Sequence, residues 1–326
     1  MYLQVYDQNV KQIGVIDAYT SLIWTKRYNK PGDFEVVMPL EGNIPFYINT
    51  DYYVTLSDDL EPGYYMIIET IEIDQEEEGG NVLTISGRSL ESLLERRIVW
   101  DKIEYSSKKT EDIIKDLITK SIINPSDKSR KIDNFLYESP NESLKFSTVD
   151  AEYDGEYLLD AFQALCSEDY NSISVRYLNN NFVYKTYTGT DRSHDQTENE
   201  EVLYSASYDS LASSNYLTSV KNYKNIVQVV DSTTNKKIVV GNETGLIRRE
   251  YRAESQNTTN QSSLKAYGNK ILYEYRKEAI LDGIAINDAY TYGVDVFVGD
   301  IVQFKNNYGI EGRSRITEYI YSEDTS

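Results

Sequence analysis

Apolar and polar residues alternate with a period of two through the first hundred residues, broken at intervals by Gly, Pro, Asn and Asp, the signature of short strands joined by turns. The alternation predicts strands at 2–6, 13–16, 21–28, 34–38, 52–56, 64–73 and 81–86, together a small barrel or sandwich over residues 1–100. In the third of these, Leu22, Trp24, Lys26 and Tyr28 share one face, and Asn29-Lys30-Pro31-Gly32 supplies the turn to the fourth. Ser89 is an acceptable N-cap for a short helix through Leu93 and Leu94. From Asp101 the period lengthens. Ile113, Ile114, Leu117, Ile118 and Ile122 keep helical spacing in a helix opened at Ser107 and stopped at Asn124-Pro125. Leu158, Ala161, Phe162 and Leu165 define a second helix over 155–166, on whose inward face Cys166 also falls.

A hairpin over 173–177 and 182–187, turning at Asn179-Asn180-Asn181, completes an α/β insert spanning 101–210. Residues 211–326 return to strands. Long arms are expected at 217–230 and 236–250, a helix at 264–280 within an interrupting segment of about 254–283, and strands at 289–298, 301–306 and 313–321. The fold class is therefore mainly β with an α+β insert. Its last part reads as a second barrel interrupted by a helix.

Composition narrows the function. The chain has 33 Lys and Arg against 53 Asp and Glu, a formal charge of −20, which repels nucleic acid and anionic membranes. Its start lacks the basic and apolar regions of a signal peptide, and no stretch approaches the roughly 20 apolar residues of a spanning helix. We therefore expect folding in a cytoplasm, without stable membrane insertion. The single cysteine forbids an internal disulfide and any cysteine-based zinc cluster. Thirty tyrosines, against 8 Phe and 2 Trp, suit strands and protein interfaces; stacking of sugars in a cell-surface glycan-binding module is the alternative use.

Candidate chemistry is sparse. The lone histidine, His194, stands in Asp191-Arg192-Ser193-His194-Asp195, where neighbouring loop residues do not supply triad geometry. Ser106 to Lys109 and Ser262 to Lys265 match Ser-x-x-Lys without its companion motifs. The acidic run Asp74 to Gly80 lacks the spacing of a calcium loop and reads as a solvated turn. Sequons at Asn141, Asn242, Asn257 and Asn260 read as compositional accidents. No catalytic, cofactor or metal residues are assigned.

Five blocks carry a resemblance. They are Ser21 to Val37, with Trp24, Arg27, Tyr28, Gly32, Asp33 and Phe34; Ser86 to Ile98, with Gly87 and Arg88; Tyr187 to Ser193, with Gly189, Asp191 and Arg192; Val220 to Asn225; and Tyr292 to Val302, with Gly293, Asp295, Gly299 and Asp300. In content and order they resemble phage tail hub proteins of the siphophage tail-tip type, similar also to contractile-tail hubs and type VI secretion spikes. Arg315 to Glu318 resembles the strand that closes the family's second barrel. The resemblance implies two related β-barrels per subunit and a homotrimer of near-sixfold symmetry on the tail tube. It further implies partners in a distal tail or tube protein and a spike, fibre or tip protein, a conduit for DNA, and a place in the virion tail or in a phage-derived contractile bacteriocin. The named residues are then structural and assembly positions. Because the chain stops at Ser326, wall digestion is expected in another polypeptide.

Overall fold

The computed structural model describes residues 1–40, 42–76, 80–255, 261–286 and 289–324. Two compact units emerge: Met1–Val202 with Asn287–Val302 and Arg315–Ser326, and Leu203–Ile286 with Gln303–Ser314.

The first unit begins with β1 (Leu3–Tyr6), β2 (Gln12–Ile16), β3 (Ser21–Arg27), β4 (Asp33–Pro39), β5 (Tyr53–Leu56), β6 (Met66–Glu76) and β7 (Gly80–Ser89). All seven lie within a few residues of the strands expected from alternation. A 3-10 helix, Leu90–Arg96, leads to β8 (Ile103–Lys109), α1 (Thr110–Ile118) with a π-helical continuation Thr119–Ile123, β9 (Phe135–Glu138), β10 (Thr148–Tyr153), α2 (Leu158–Glu168), β11 (Ser172–Leu178), β12 (Asn181–Tyr187) and β13 (Asp191–Arg192). The second unit carries β14 (Leu203–Ser205), β15 (Leu211–Ser219), β16 (Ile226–Asp231), β17 (Lys237–Val240), β18 (Glu250–Ser255), α3 (Gln261–Glu274) and β19 (Glu278–Ala285). The chain ends with β20 (Ile301–Lys305), β21 (Glu311–Arg315) and β22 (Glu318–Asp324).

The main sheet has eight antiparallel strands in the order β2-β1-β5-β6-β7-β4-β3-β22, with β2 and β22 as its edges. No closed barrel forms among the described residues. The strand after Thr317 pairs with β3, Glu318 opposite Arg27 through Asp324 opposite Ser21. The inward rows of this sheet, among them Leu3, Leu22, Trp24, Phe34, Val36, Met66, Leu83 and Ile85, make one buried core. A second core gathers Leu90, Leu94, Ile113, Ile114, Leu117, Phe162, Ile173 and Tyr184 from the 3-10 helix, α1, α2, β11 and β12.

The insert differs from expectation at its start. Ser107 to Lys109 are not helical, because Lys108 and Lys109 pair with Val149 and Thr148 of β10, and α1 begins only at Thr110. The β11–β12 hairpin turns where expected, with Asn179 and Asn180 both at positive φ as a type I′ turn requires. Strand β9 then joins β12 in parallel.

In the second unit the expected arms are broken. A turn closed by Tyr223 N–H to the Val220 carbonyl separates β15 from β16, and Gly241, at φ +98°, ends β17. The expected helix through Ile280 stops at Glu274, since Ala279 and Ile280 pair with Thr218 and Leu217 of β15. Val227, Val229, Val240, Ala253, Leu264 and Ile271 form this unit's core. Between Ala289 and Val298 only an isolated Tyr292–Val296 bridge replaces the expected strand. The sequons Asn257 and Asn260, the Ser262 side chain and Glu77 to Gly79 of the acidic run lie outside the described residues.

Candidate functional site

The β3–β4 hairpin sets up the site. Trp24 is fully buried opposite Phe34, with ring centroids 5.7 Å apart and Tyr64 6.2 Å away. In the turn the positive φ falls on Asn29; Gly32 is required for space, since a Cβ there would lie 2.2 Å from the Thr25 carbonyl oxygen. Ser89 occupies the N-cap position of the 3-10 helix but does not cap it; its hydroxyl accepts a 2.8 Å bond from Gly32 N–H. At Gly87 a Cβ would stand 1.7 Å from the Ile67 carbonyl oxygen, beside the irregularity between Ile68 and Thr70 of β6.

Lys26 continues the Leu22–Trp24 face and is as buried as its neighbours, 4% exposed. Its ammonium donates to Asp59 at 2.7 Å and Glu61 at 2.8 Å and lies 4.5 Å above the Tyr64 ring. Arg176 of β11 donates to Glu91 at 2.7 Å and to Glu61 at 3.3 Å, its guanidinium 4.6 Å from the same ring. The Tyr292 hydroxyl donates to Glu61 at 2.5 Å, and its ring stacks on Tyr319 at 3.7 Å. Burial pushes the Glu61 carboxyl up, but Lys26, Arg176 and the Tyr292 hydroxyl outweigh it and hold the group below its ordinary value. Burial, with Glu91 and Glu61 nearby, drives the Tyr64 phenol far up. Lys26, Glu61, Tyr64, Glu91, Arg176 and Tyr292 line a cavity of about 350 Å³ that continues along Tyr187 to Thr190 toward Asp300.

At its far end Asp300, 2% exposed, accepts three bonds: from Thr190 N–H at 2.7 Å, Arg192 Nε at 2.9 Å and Phe297 N–H at 3.1 Å. Gly189 and Gly299 meet backbone to backbone, and Gly299, at φ +103°, also leaves room for the Tyr28 ring. Arg315 donates to the Gly299 carbonyl at 2.5 Å and covers Tyr28 at 4.6 Å. Gly293, at φ +85°, and Asp295, whose carboxylate accepts from Thr291 N–H at 2.7 Å, shape the preceding turn.

The fifteen residues singled out from sequence thus all fall in the first unit. Arg27 bonds Asp33 at 2.5 Å and Glu318 at 2.7 Å, Arg88 bonds Glu69 at 2.7 Å and Glu95 at 2.6 Å, and Arg192 bonds Asp300, so all three arginines make internal bridges. Asp191 accepts from Ser193 N–H at 3.0 Å and the Ser193 hydroxyl at 2.6 Å, while His194 faces Glu201 at 3.3 Å on the surface. Sequence reasoning missed Asp59, Glu61 and Arg176, and did not single out Glu91 and Tyr292 although both lie in the matching blocks. A lysine in register with Leu22 and Trp24 was the one signal pointing to Asp59 and Glu61.

Cys166 is buried, and burial with Glu111 nearby pushes its thiol up to about 12, as befits a core position rather than a nucleophile. Among the described residues no group of three His, Cys, Asp or Glu is placed to hold a metal ion. No helix among them is long and apolar enough to cross a membrane.

The fold recurs in solved tail proteins. The prophage tail protein gp18 from Listeria monocytogenes EGD-e is similar at a TM-score of 0.60 and 14% identity, covering 98% of this chain and 90% of that one. The tail protein from Neisseria meningitidis MC58 gives 0.60 and 14%, over 99% and 92%. A chain of the Francisella PdpA–VgrG complex gives 0.50 and 10%, over 100% of this chain and 60% of that one. No curated protein sequence matches. Residues 2–326, essentially everything from β1 to β22, match the model of the Siphovirus ReqiPepy6 Gp37-like protein, and the chain belongs to that family.

Proposed function

We propose that this tail protein is a trimeric hub, joining the tail tube or distal tail ring to the tip or spike and leaving a central passage for DNA. The observation that carries the reading is the use made of the hub-like blocks. Trp24, Gly32, Gly87, Gly189, Gly299 and Asp300 all serve backbone approaches or buried contacts within one unit, so the resemblance rests on architecture rather than on a reactive centre. The family match over residues 2–326 and the fold shared with tail proteins support it. The ribbon of β15 and β19, exposed along most of both strands with Tyr216, Leu217, Ile280 and Ile284 outward, supports assembly, because a two-stranded ribbon is marginal in water until something covers it.

In this reading the protein is not an enzyme, needs no cofactor, and assembles through surfaces of both the 1–100 and 211–326 segments, with the 101–210 insert at the periphery. Electron micrographs of the purified protein test it: a three-lobed ring with a central hole is expected. A tight dimer, or a monomer at every concentration and with tail partners present, would refute it. Peptidoglycan zymograms are expected to stay blank.

A further inference from the structure

A chain with 53 acids ordinarily pairs its cations, yet Arg97 and Arg130 of the first unit form no ion pair among the described residues, Asp127 acting on Arg130 only at longer range. Arg97 donates from Nε to the Arg130 carbonyl at 2.8 Å and from Nη1 to the Arg96 carbonyl at 2.8 Å; Arg130 donates to the Ile98 carbonyl at 2.7 Å. The Arg130 guanidinium lies 5.0 Å from the ring centre of Trp100, which is 64% exposed. Partial burial, with Arg130 and Arg96 close by, pushes the Arg97 guanidinium below its ordinary value, as expected of a cation beside other cations with no ion pair of its own. Exposed Trp and unpaired Arg are the residues that dominate binding surfaces.

The complement lies elsewhere in the same unit. On β6, Glu72, Ile73 and Asp74 are exposed, and neither acid forms an ion pair among the described residues. Beyond Ile68 the outer edge of β6 carries no strand among the described residues, since β5 pairs only through Tyr53 and Val54, with Ile67 and Met66. An open edge of this kind is a template for another chain. The two surfaces cannot meet within one molecule. Arg96 is tied at 2.8 Å to Asp51, whose N–H bonds the Ile68 carbonyl. Six strand residues, about 20 Å at 3.3 Å per residue, separate that level from Asp74.

We propose that the surface of Arg97 and Trp100, with Arg130 packed on it as the one part of the otherwise peripheral insert that enters the contact, receives the Glu72-Ile73-Asp74 edge of a second copy of this chain, in a head-to-tail contact. Glu72 and Asp74, which share one face of the strand, then meet the two arginines. The proposal rests on the trimeric reading above, because only a head-to-tail contact repeats into a closed three-membered ring. A long polyanion is the poorer occupant, since the net charge of −20 repels whatever extends beyond the patch.

Sedimentation of the full chain tests this contact. The double variant R97E/R130E and the double variant E72R/D74R are each expected to raise the concentration needed for trimer at least tenfold, and the chain carrying all four changes to recover most of it. Should R97E/R130E fail to fold, E72R/D74R, at exposed strand positions, probes the same contact from the other side, with Trp100→Ala as a milder change. Trimers at wild-type concentration in the reversed variants would overturn this contact and leave the trimeric reading standing. Such trimers with loss of polyphosphate binding would hand the patch to a polyanion. A wild-type chain that never forms trimers would overturn the trimeric reading itself.

Discussion

A Cβ placed on Gly189 would lie 1.9 Å from the Gly299 carbonyl carbon and 2.3 Å from Asp300 N, so the segment after β12 and the turn before β20 are in contact through bare backbone. Neither side can yield as a flexible side chain would, and the displaced atoms include the Asp300 backbone whose carboxylate holds Thr190 and Arg192. Gly189→Ala is therefore expected to cost at least about 3 kcal/mol. Gly309→Ala is the control: at φ +74° with nothing within 4 Å, it should cost about 1 kcal/mol, the backbone strain alone. Urea unfolding of the two variants checks the difference, and equal losses would contradict it.

Lys26→Met should be among the most damaging single changes at the cavity, because it leaves Asp59 and Glu61 without their shared cation. A loss of about 3–5 kcal/mol is expected for breaking a buried pair from one side. Adding Asp59→Asn and Glu61→Gln to that variant should restore much of it, since a neutral set needs no cation. Glu61 also gives a pH signature. Its folded pKa is depressed, so its contribution is complete above the unfolded glutamate value of about 4.3 and is lost as pH falls through the lower folded value. Acid titration of stability should show this step in the wild type and not in Glu61→Gln.

The fold was legible where local pattern and tertiary pairing agree. Strands β1 to β7 alternate cleanly because each has one face on the Trp24 core, and Asn179-Asn180 carries its own turn geometry. It was illegible where a distant partner decides. Ser107 to Lys109 look like a helix start until β10 pairs with them, and Ala279-Ile280 look like a helix end until β15 does. The strand Phe135–Glu138 sits in a polar stretch and exists through β12. The same limit applies to the site. Gly189, Gly299 and Asp300 were marked by motif, but Glu61, Glu91 and Arg176 are ordinary surface residue types whose burial follows only from β11 lying against Tyr64.

Glu111, on the first turn of α1, predicts the opposite pH trend. Tyr137 donates its hydroxyl to this carboxyl, and one carboxyl oxygen is buried without a partner. Burial pushes the pKa up to about 7, Asp112 adding to the rise while the Thr186 hydroxyl and Lys115 oppose it. With the folded pKa above the unfolded one, the native state binds the extra proton, so this group's contribution is fully present below about 4.3 and is lost as pH climbs to about 7. Glu111→Gln should flatten stability across that window and be more stable than wild type at pH 8. A variant that falls off with pH as steeply as the wild type would place the titration elsewhere.

Duplex DNA is expected to pass this protein without being held. Tight binding needs a cluster of cations free to displace counterions from phosphates, and several cations of the first unit are already committed: Lys26 to Asp59 and Glu61, Arg27 to Asp33 and Glu318, Arg88 to Glu69 and Glu95, Arg192 to Asp300. The arginine pair Arg97 and Arg130, outside those bridges, offers two phosphate contacts and a salt slope of only about −1.8, far short of the six to ten contacts typical of strong binders. The net charge of −20 opposes even those. Fluorescence anisotropy with labelled duplex at about 50 mM salt, where electrostatic attraction is exaggerated, should therefore show no saturation at micromolar protein. Micromolar binding there, abolished by R97E/R130E, would turn the Trp100 surface into a nucleic-acid contact and remove the case for a passive conduit.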